Sequence, residues 1–273
     1  MNSTLQEWFI HHYTFQEWLN LVFRWIHVFA GIMWVGATYY FTWLDRRFHT
    51  TDPDQVWMVH SGGFYVVNKT KSPSPSHTLH WFKWEAAITW MSGLLLLILV
   101  YYLGGALTEG GSDKPSFTVA ACIGIGLLFV GWIVYDLLWL SPLAKNEPVA
   151  IVISFALLMG VAWWLPRVMS NRAAFLHVGA LLGTLMANNV WERIIPAQKK
   201  MVAAAREGRE PDPVLAERAK FRSKHNTYMV IPVVMMMISN HYPVGIMGHT
   251  HNWIILGALT LVGWGVAHIV RKQ

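Results

Sequence analysis

The chain has 273 residues, of which 54% are hydrophobic and only 13% charged. A soluble domain carries about 25% charged residues, so a freely soluble globule is excluded and lipid has to cover the apolar excess. The formal charge of +6 is a matter of loop composition and does not point to nucleic acid, and the lone Cys122 excludes a disulfide framework, a cysteine zinc site and covalent c-type haem.

The N-terminal stretch, with Asn2, Ser3, Gln6 and Glu7 ahead of the first apolar run, does not read as a cleaved signal peptide. His11 and His12 follow at the water interface. Apolar runs approaching the ~20 residues of a spanning helix are 19–44, 84–103, 117–140, 149–165, 173–195, 227–241 and 253–270. The expected fold is an all-α integral membrane bundle of about seven transmembrane helices. The run 149–165 is at the short limit. The run 227–241 contains Pro232, reaches only about 22 Å and is expected to be broken or re-entrant.

All Lys and Arg except Arg24, Lys114, Arg167 and Arg172 fall on one side of such a bundle. Positive charge marks the cytoplasmic side of a bacterial inner membrane, which places the N-terminus outside and the C-terminus in the cytoplasm. Residues 1–273 then form a single multi-pass membrane domain with two large cytoplasmic loops, 45–83 and 196–226, both expected to carry surface helices. In the first, the aromatic stretch 56–65 is expected to pack against the inner face of the bundle. In the second, the helix former 198–206, the breaker Glu210-Pro-Asp-Pro213 and a short basic helix 214–222 would lie over the cytoplasmic mouth. Cys122 reads as a small apolar residue. Met235-Met-Met237 reads as packing, since consecutive side chains on a helix cannot converge on one copper ion.

Ionisable groups at membrane depth are candidates for function. His27 and His177 sit at comparable depth below the outer side, and His241 closes the sixth run there, with His249 and His251 beyond it. Facing imidazoles could ligate a b-type haem; each alone reads equally as an interhelical hydrogen-bond donor. An inner set holds His60, His77, His80, His225 and His268, with Lys83, Glu85, Asp136, Glu192 and Arg193. Asp136 is expected to form a structural salt bridge to a neighbouring helix. His60 adjoins Gly62 and Gly63, and His225 adjoins Asn226, so backbone and amide donors surround a basic mouth that includes Lys83 and Lys200. Such a mouth suits a small planar anion.

Collinear blocks along nearly the whole chain carry a family resemblance: Arg24-Trp-Ile-His27 and Trp34-Val-Gly36; Trp57-Met-Val-His-Ser-Gly-Gly-Phe-Tyr65; Trp81-Phe-Lys-Trp-Glu85 and Trp90-Met-Ser-Gly93; Gly131-Trp-Ile-Val-Tyr-Asp136; Ser141-Pro-Leu-Ala-Lys-Asn146; His177 to Gly183; Ile195 to Val202; His225-Asn226; and Ile238-Ser-Asn-His-Tyr-Pro243. In these the chain resembles the membrane domain of bacterial cytochrome-c-linked urate oxidases. The first helix alone is also similar to membrane protoporphyrinogen oxidases and copper-resistance proteins, which leaves haem or porphyrin handling as a weaker reading.

The resemblance implies oxidation of urate to 5-hydroxyisourate, with electrons passed to a cytochrome c. Fused members carry that cytochrome after a further helix; this sequence stops at Gln273 and has no Cys-x-x-Cys-His. The expected acceptor is therefore a separate cytochrome c or a quinone. In this reading His60 or His225 is the catalytic base, and Gly62, Gly63, Lys83, Lys200 and Asn226 bind substrate. A b-type haem held by His27 and His177, with His241 a further candidate ligand, carries electrons on the outer side. The alternative is a non-catalytic transmembrane subunit of a larger respiratory or photosynthetic complex.

Overall fold

A computed structural model describes residues 3–50, 55–70, 78–108, 114–242, 248 and 251–272. Helix α1 (Ser3–Thr50) leads into a hairpin of β1 (Gln55–His60) and β2 (Gly63–Asn68). Then follow α2 (Trp84–Leu97), α3 (Phe117–Leu140), α4 (Glu147–Trp164), α5 (Asn171–Asn188), α6 (Ile195–Arg206), α7 (Pro213–Ser239) and α8 (Asn252–Lys272). Among the described residues, six helical stretches are long and apolar enough to cross a membrane: Thr14–His49, Trp84–Leu103, Phe117–Leu140, Glu147–Arg167, Asn171–Arg206 and Asn252–Lys272.

The bundle is organised around α5. Thirteen of its 18 residues are buried, because alanines and glycines on several faces let neighbouring helices approach closely. Phe175, Leu182 and Met186 of α5 share one continuous core with Leu128, Leu158, Met229 and Leu256 from the surrounding helices. Those outer helices present Leu, Ile, Val and Phe outward; Phe129 and Val152, for example, are both about two-thirds exposed. An apolar surface that wide needs a lipid-like medium.

The sixth expected span departs from expectation. Residues 214–222 and 227–241, read as a surface helix and a broken span, belong to the single helix α7, which runs through Pro232. Its 27 residues extend about 40 Å. Its first half carries Glu217, Arg218, Lys220, Arg222 and Lys224, which lowers its hydropathy and masks its continuity. Pro232 is tolerated because Gly263 of α8 admits its ring; a Cβ there would lie 3.0 Å from Pro232 Cδ.

The loop 45–83 departs as well. Among its described residues it holds no helix beyond the end of α1, but an antiparallel hairpin in which Val56 faces Val67 and Val59 faces Phe64. The alternation of 56–65 is strand periodicity, with β-branched and aromatic residues. Ser61 and Gly62 both have positive φ (51° and 77°), the geometry of a two-residue turn whose twist matches the strands. Val56, Met58 and Val67 pack on Leu44 and Phe48 at the inner end of α1. The opposite face, with Trp57, Val59, Phe64 and Val66, is exposed.

In the loop 196–226, the expected helix 198–206 is present as α6. It continues from α5 through a π-helical stretch, Asn189–Ile194, instead of lying apart on the surface.

Candidate functional site

The wide turn between α5 and α6 brings polar groups into the half of the bundle that holds Asp136. A π-helical stretch changes the angular register of the side chains that follow it. Here Asn189 is fully buried, and its amide nitrogen donates to Tyr135 Oη and to Asn226 Oδ1, each at 2.9 Å. Its carbonyl oxygen accepts from Arg222 at 3.3 Å. Asn226 in turn donates to the Met186 carbonyl at 3.0 Å.

Asp136 of α3 anchors this network. It accepts from Arg222 Nη2 at 2.8 Å and Arg193 Nε at 2.9 Å, and Arg193 Nη2 pairs with its second oxygen. The structural salt bridge expected for Asp136 is therefore present, with two guanidinium partners. Tyr135 Oη already accepts from Asn189, so its proton is free to go to His225 Nδ1, 2.7 Å away. With the Tyr135 hydroxyl donating to Nδ1, His225 carries its own proton on Nε2.

Helix α7 separates two cavities. Its Ser223, Asn226 and Thr227 line a basic cavity of about 610 Å³. Cations Arg46, Lys220, Lys224 and Arg271, imidazoles His49 and His80, the acid Asp45, and Thr38, Thr42 and Gln198 make up the rest of its polar lining. Trp34, Phe41, Trp81 and Phe82 supply flat apolar walls. The size is that of a small-molecule site. Beside it, His80 Nε2 stands 3.9 Å from Glu85 Oε1, and the other Glu85 oxygen is buried without a hydrogen-bond partner.

The other face of α7 presents His225, Tyr228 and Met229 to an apolar cavity of about 440 Å³. It lies among α3, α4, α5, α7 and α8, with the Lys224–Glu147 ion pair (2.5 Å) on its lining.

Of the residues singled out from sequence, Asn226 lines the basic cavity and His225 the apolar one. His60 lies at the hairpin tip, exposed, with Nδ1 2.9 Å from Ser61 Oγ. Gly62 and Gly63 belong to that turn. Lys83 stacks its ammonium on Trp84 and Trp191, and Lys200 is exposed on α6. His60 and His225 are therefore not brought together.

His77 and His249 lie outside the described residues, and His251 is exposed before α8. The basic cavity instead recruits Arg46, His49, Lys220 and Arg271, none of which the sequence reading singled out. The buried partners Tyr135, Asn189 and Arg222 were likewise missed. The adjacent pair Asn188-Asn189 in an apolar helix was the available signal.

At the opposite end of the bundle from the basic cavity, His27 Nδ1 donates to the Thr89 carbonyl at 2.8 Å, and its ring packs on Gly93 of α2. His177 Nδ1 donates to the Ala173 carbonyl at 2.7 Å, so its Nε2 lone pair accepts the Tyr102 hydroxyl proton at 2.8 Å. A bis-histidine haem needs two ring nitrogens with open lone pairs facing one planar space. His177 has its lone pair engaged, its ring closes on Gly124, and neither histidine lines the two cavities above. The two residues do not fit such a haem in this arrangement. His241 is exposed at the outer end of α7.

The family model described as urate oxidase, N-terminal, matches residues 13–273. No curated protein and no solved structure matches the chain. Since that match takes in the helices of the bundle, the hairpin and both walls of the basic cavity, the chain belongs to the urate oxidase N-terminal family.

Proposed function

We propose that this protein is a multi-pass oxidoreductase of the bacterial cytoplasmic membrane that oxidises urate in the basic cavity. It would pass the electrons to a separate cytochrome c or a quinone. The observation that carries the reading is an aromatic-walled cavity with an excess of cations, at the basic end of the bundle, in a chain of this family. Urate at neutral pH is a flat monoanion, so cations hold its charge and aromatic walls hold its faces.

The chemistry is balanced as urate plus water giving 5-hydroxyisourate, two electrons and two protons. Arg46, Lys220 and Arg271 would bind the anion, and Trp34, Trp81 and Phe82 would orient its plane. His80, backed by Glu85, would take the proton from the attacking water as electron density leaves the ring. The buried Asp136–Arg222–Asn189–Asn226 chain would keep α7 in register so that Asn226 faces the substrate. No step in this reading passes through a haem at His27 and His177.

Equilibrium binding of urate to the purified, detergent-solubilised protein tests it. Lys220→Ala and Arg271→Ala are expected to weaken binding about tenfold each, as loss of a charge-assisted contact does. His80→Gln is expected to lower turnover by about a hundredfold with little change in binding. Urate affinity untouched by both cation substitutions would place the substrate elsewhere.

A further inference from the structure

Among the described residues, four buried side-chain polar atoms have no hydrogen-bond partner: Glu85 Oε2, Trp139 Nε1, Ser154 Oγ and His225 Nε2. Three of the four belong to residues lining the apolar cavity. Trp139 comes from α3, Ser154 from α4 and His225 from α7, so three separate helices bring polar groups to one largely apolar space. The rest of that lining is mostly apolar, with Leu127, Val134, Leu157 and Leu181, the polar exceptions being Tyr135, Tyr228 and the Lys224–Glu147 ion pair. Buried donors without partners are unfavourable and uncommon.

The indole nitrogen of Trp139 can only donate. His225 Nε2 donates as well when the Tyr135 hydroxyl, 2.7 Å from Nδ1, gives its proton to that nitrogen. The two rings are adjacent, with centroids 4.2 Å apart. The complementary ligand therefore has an apolar body and acceptor oxygens on a flat head. A lipid acyl chain would match the apolar walls but leave the donors unanswered.

We propose that this cavity is the binding site of a lipid-soluble quinone, its carbonyl oxygens accepting from Trp139 and His225 with Ser154 in support. The quinone's role as acceptor rests on the urate-oxidising reading; its binding does not. In that role urate, water and quinone give 5-hydroxyisourate and hydroquinone. The two electrons and two protons leaving urate and water are the two electrons and two protons the hydroquinone gains. The cavities lie back to back across α7, with Lys224 lining both. The donors would stabilise negative charge on the quinone oxygens as it is reduced.

Calorimetric titration of the purified full-length chain with decylubiquinone, beside decylbenzene as an oxygen-free probe, tests the site. Saturable binding of decylubiquinone, and none of decylbenzene at the same concentrations, is expected. Trp139→Phe and Ser154→Ala should each weaken it about fivefold, and Ser154→Leu, which fills the space, should abolish it. Thermal melts identify which variants are folded. Equal binding of both probes would make the cavity an acyl-chain groove and overturn the proposal, as would quinone binding that all three variants leave unchanged. Urate-dependent reduction of cytochrome c without quinone binding would sink the site alone. Quinone binding as described, with urate inert towards both acceptors, would uphold the site and sink the urate reading.

Discussion

Asp136 shows how a single side chain sets the inner half of this bundle. A carboxylate buried in an apolar helix has to find a cation, and the ion pair was legible in the sequence for that reason. Its partners were not, because Arg222 sits in a stretch whose composition reads as a solvated basic helix. Only the continuity of α7 turns that residue inward, to 4% exposure. Asp136→Asn leaves two guanidinium groups without their counter-charge and is expected to cost about 3 kcal/mol, read as a lower unfolding temperature in detergent. At the outer end, a Cβ added to Gly124 would lie 2.5 Å from Tyr102 Oη and 2.8 Å from His177 Nε2. Gly124→Ala should part that hydrogen-bonded pair and lower stability by about 1–3 kcal/mol. An unchanged melt would mean that the pair re-forms around the methyl group.

The elements were legible wherever one period dominates. The runs 84–103 and 117–140 coincide with Trp84–Leu103 and Phe117–Leu140, because uniform apolar sequence leaves a helix in lipid no alternative. The hairpin escaped notice because Trp57 to Tyr65 was weighed as aromatic content when its alternation and Ser61-Gly62 turn carried the information. Helix α7 was divided because Pro232 and the charges before Thr227 both look like boundaries. What holds it together is its seat on α8, where Gly263 lies against Pro232 and Ile231, while Gly265 has open space beside it. Gly263→Leu should therefore destabilise the protein by about 2 kcal/mol through overpacking, and Gly265→Leu should leave the melting temperature nearly unchanged. Equal effects at the two positions would contradict the α7–α8 contact.

For the whole molecule, charge asymmetry was the most informative signal, although of the substrate-binding residues named from sequence only Asn226 lines the basic cavity. Which cations line that cavity was hidden, since Arg46, Lys220 and Arg271 come from three helices far apart in sequence and only packing assembles them. The same asymmetry makes a statement about orientation: if α7 crosses along with the other six, the chain ends lie on opposite sides. In a Cys122→Ser background, an impermeant maleimide added to intact cells should label Lys114→Cys and leave Glu207→Cys and Lys272→Cys unlabelled. Labelling of Lys272→Cys alongside Lys114→Cys would show that α7 does not cross.

Urate oxidation by this bundle is tested most directly by incubating the purified, detergent-solubilised chain with urate and either oxidised cytochrome c or decylubiquinone, and following urate loss together with acceptor reduction. The expected result is that urate disappears as at least one acceptor is reduced, two electrons per urate, without hydrogen peroxide. Urate left intact by the folded protein in the presence of both acceptors would contradict it, and would favour a non-catalytic role within a larger membrane complex.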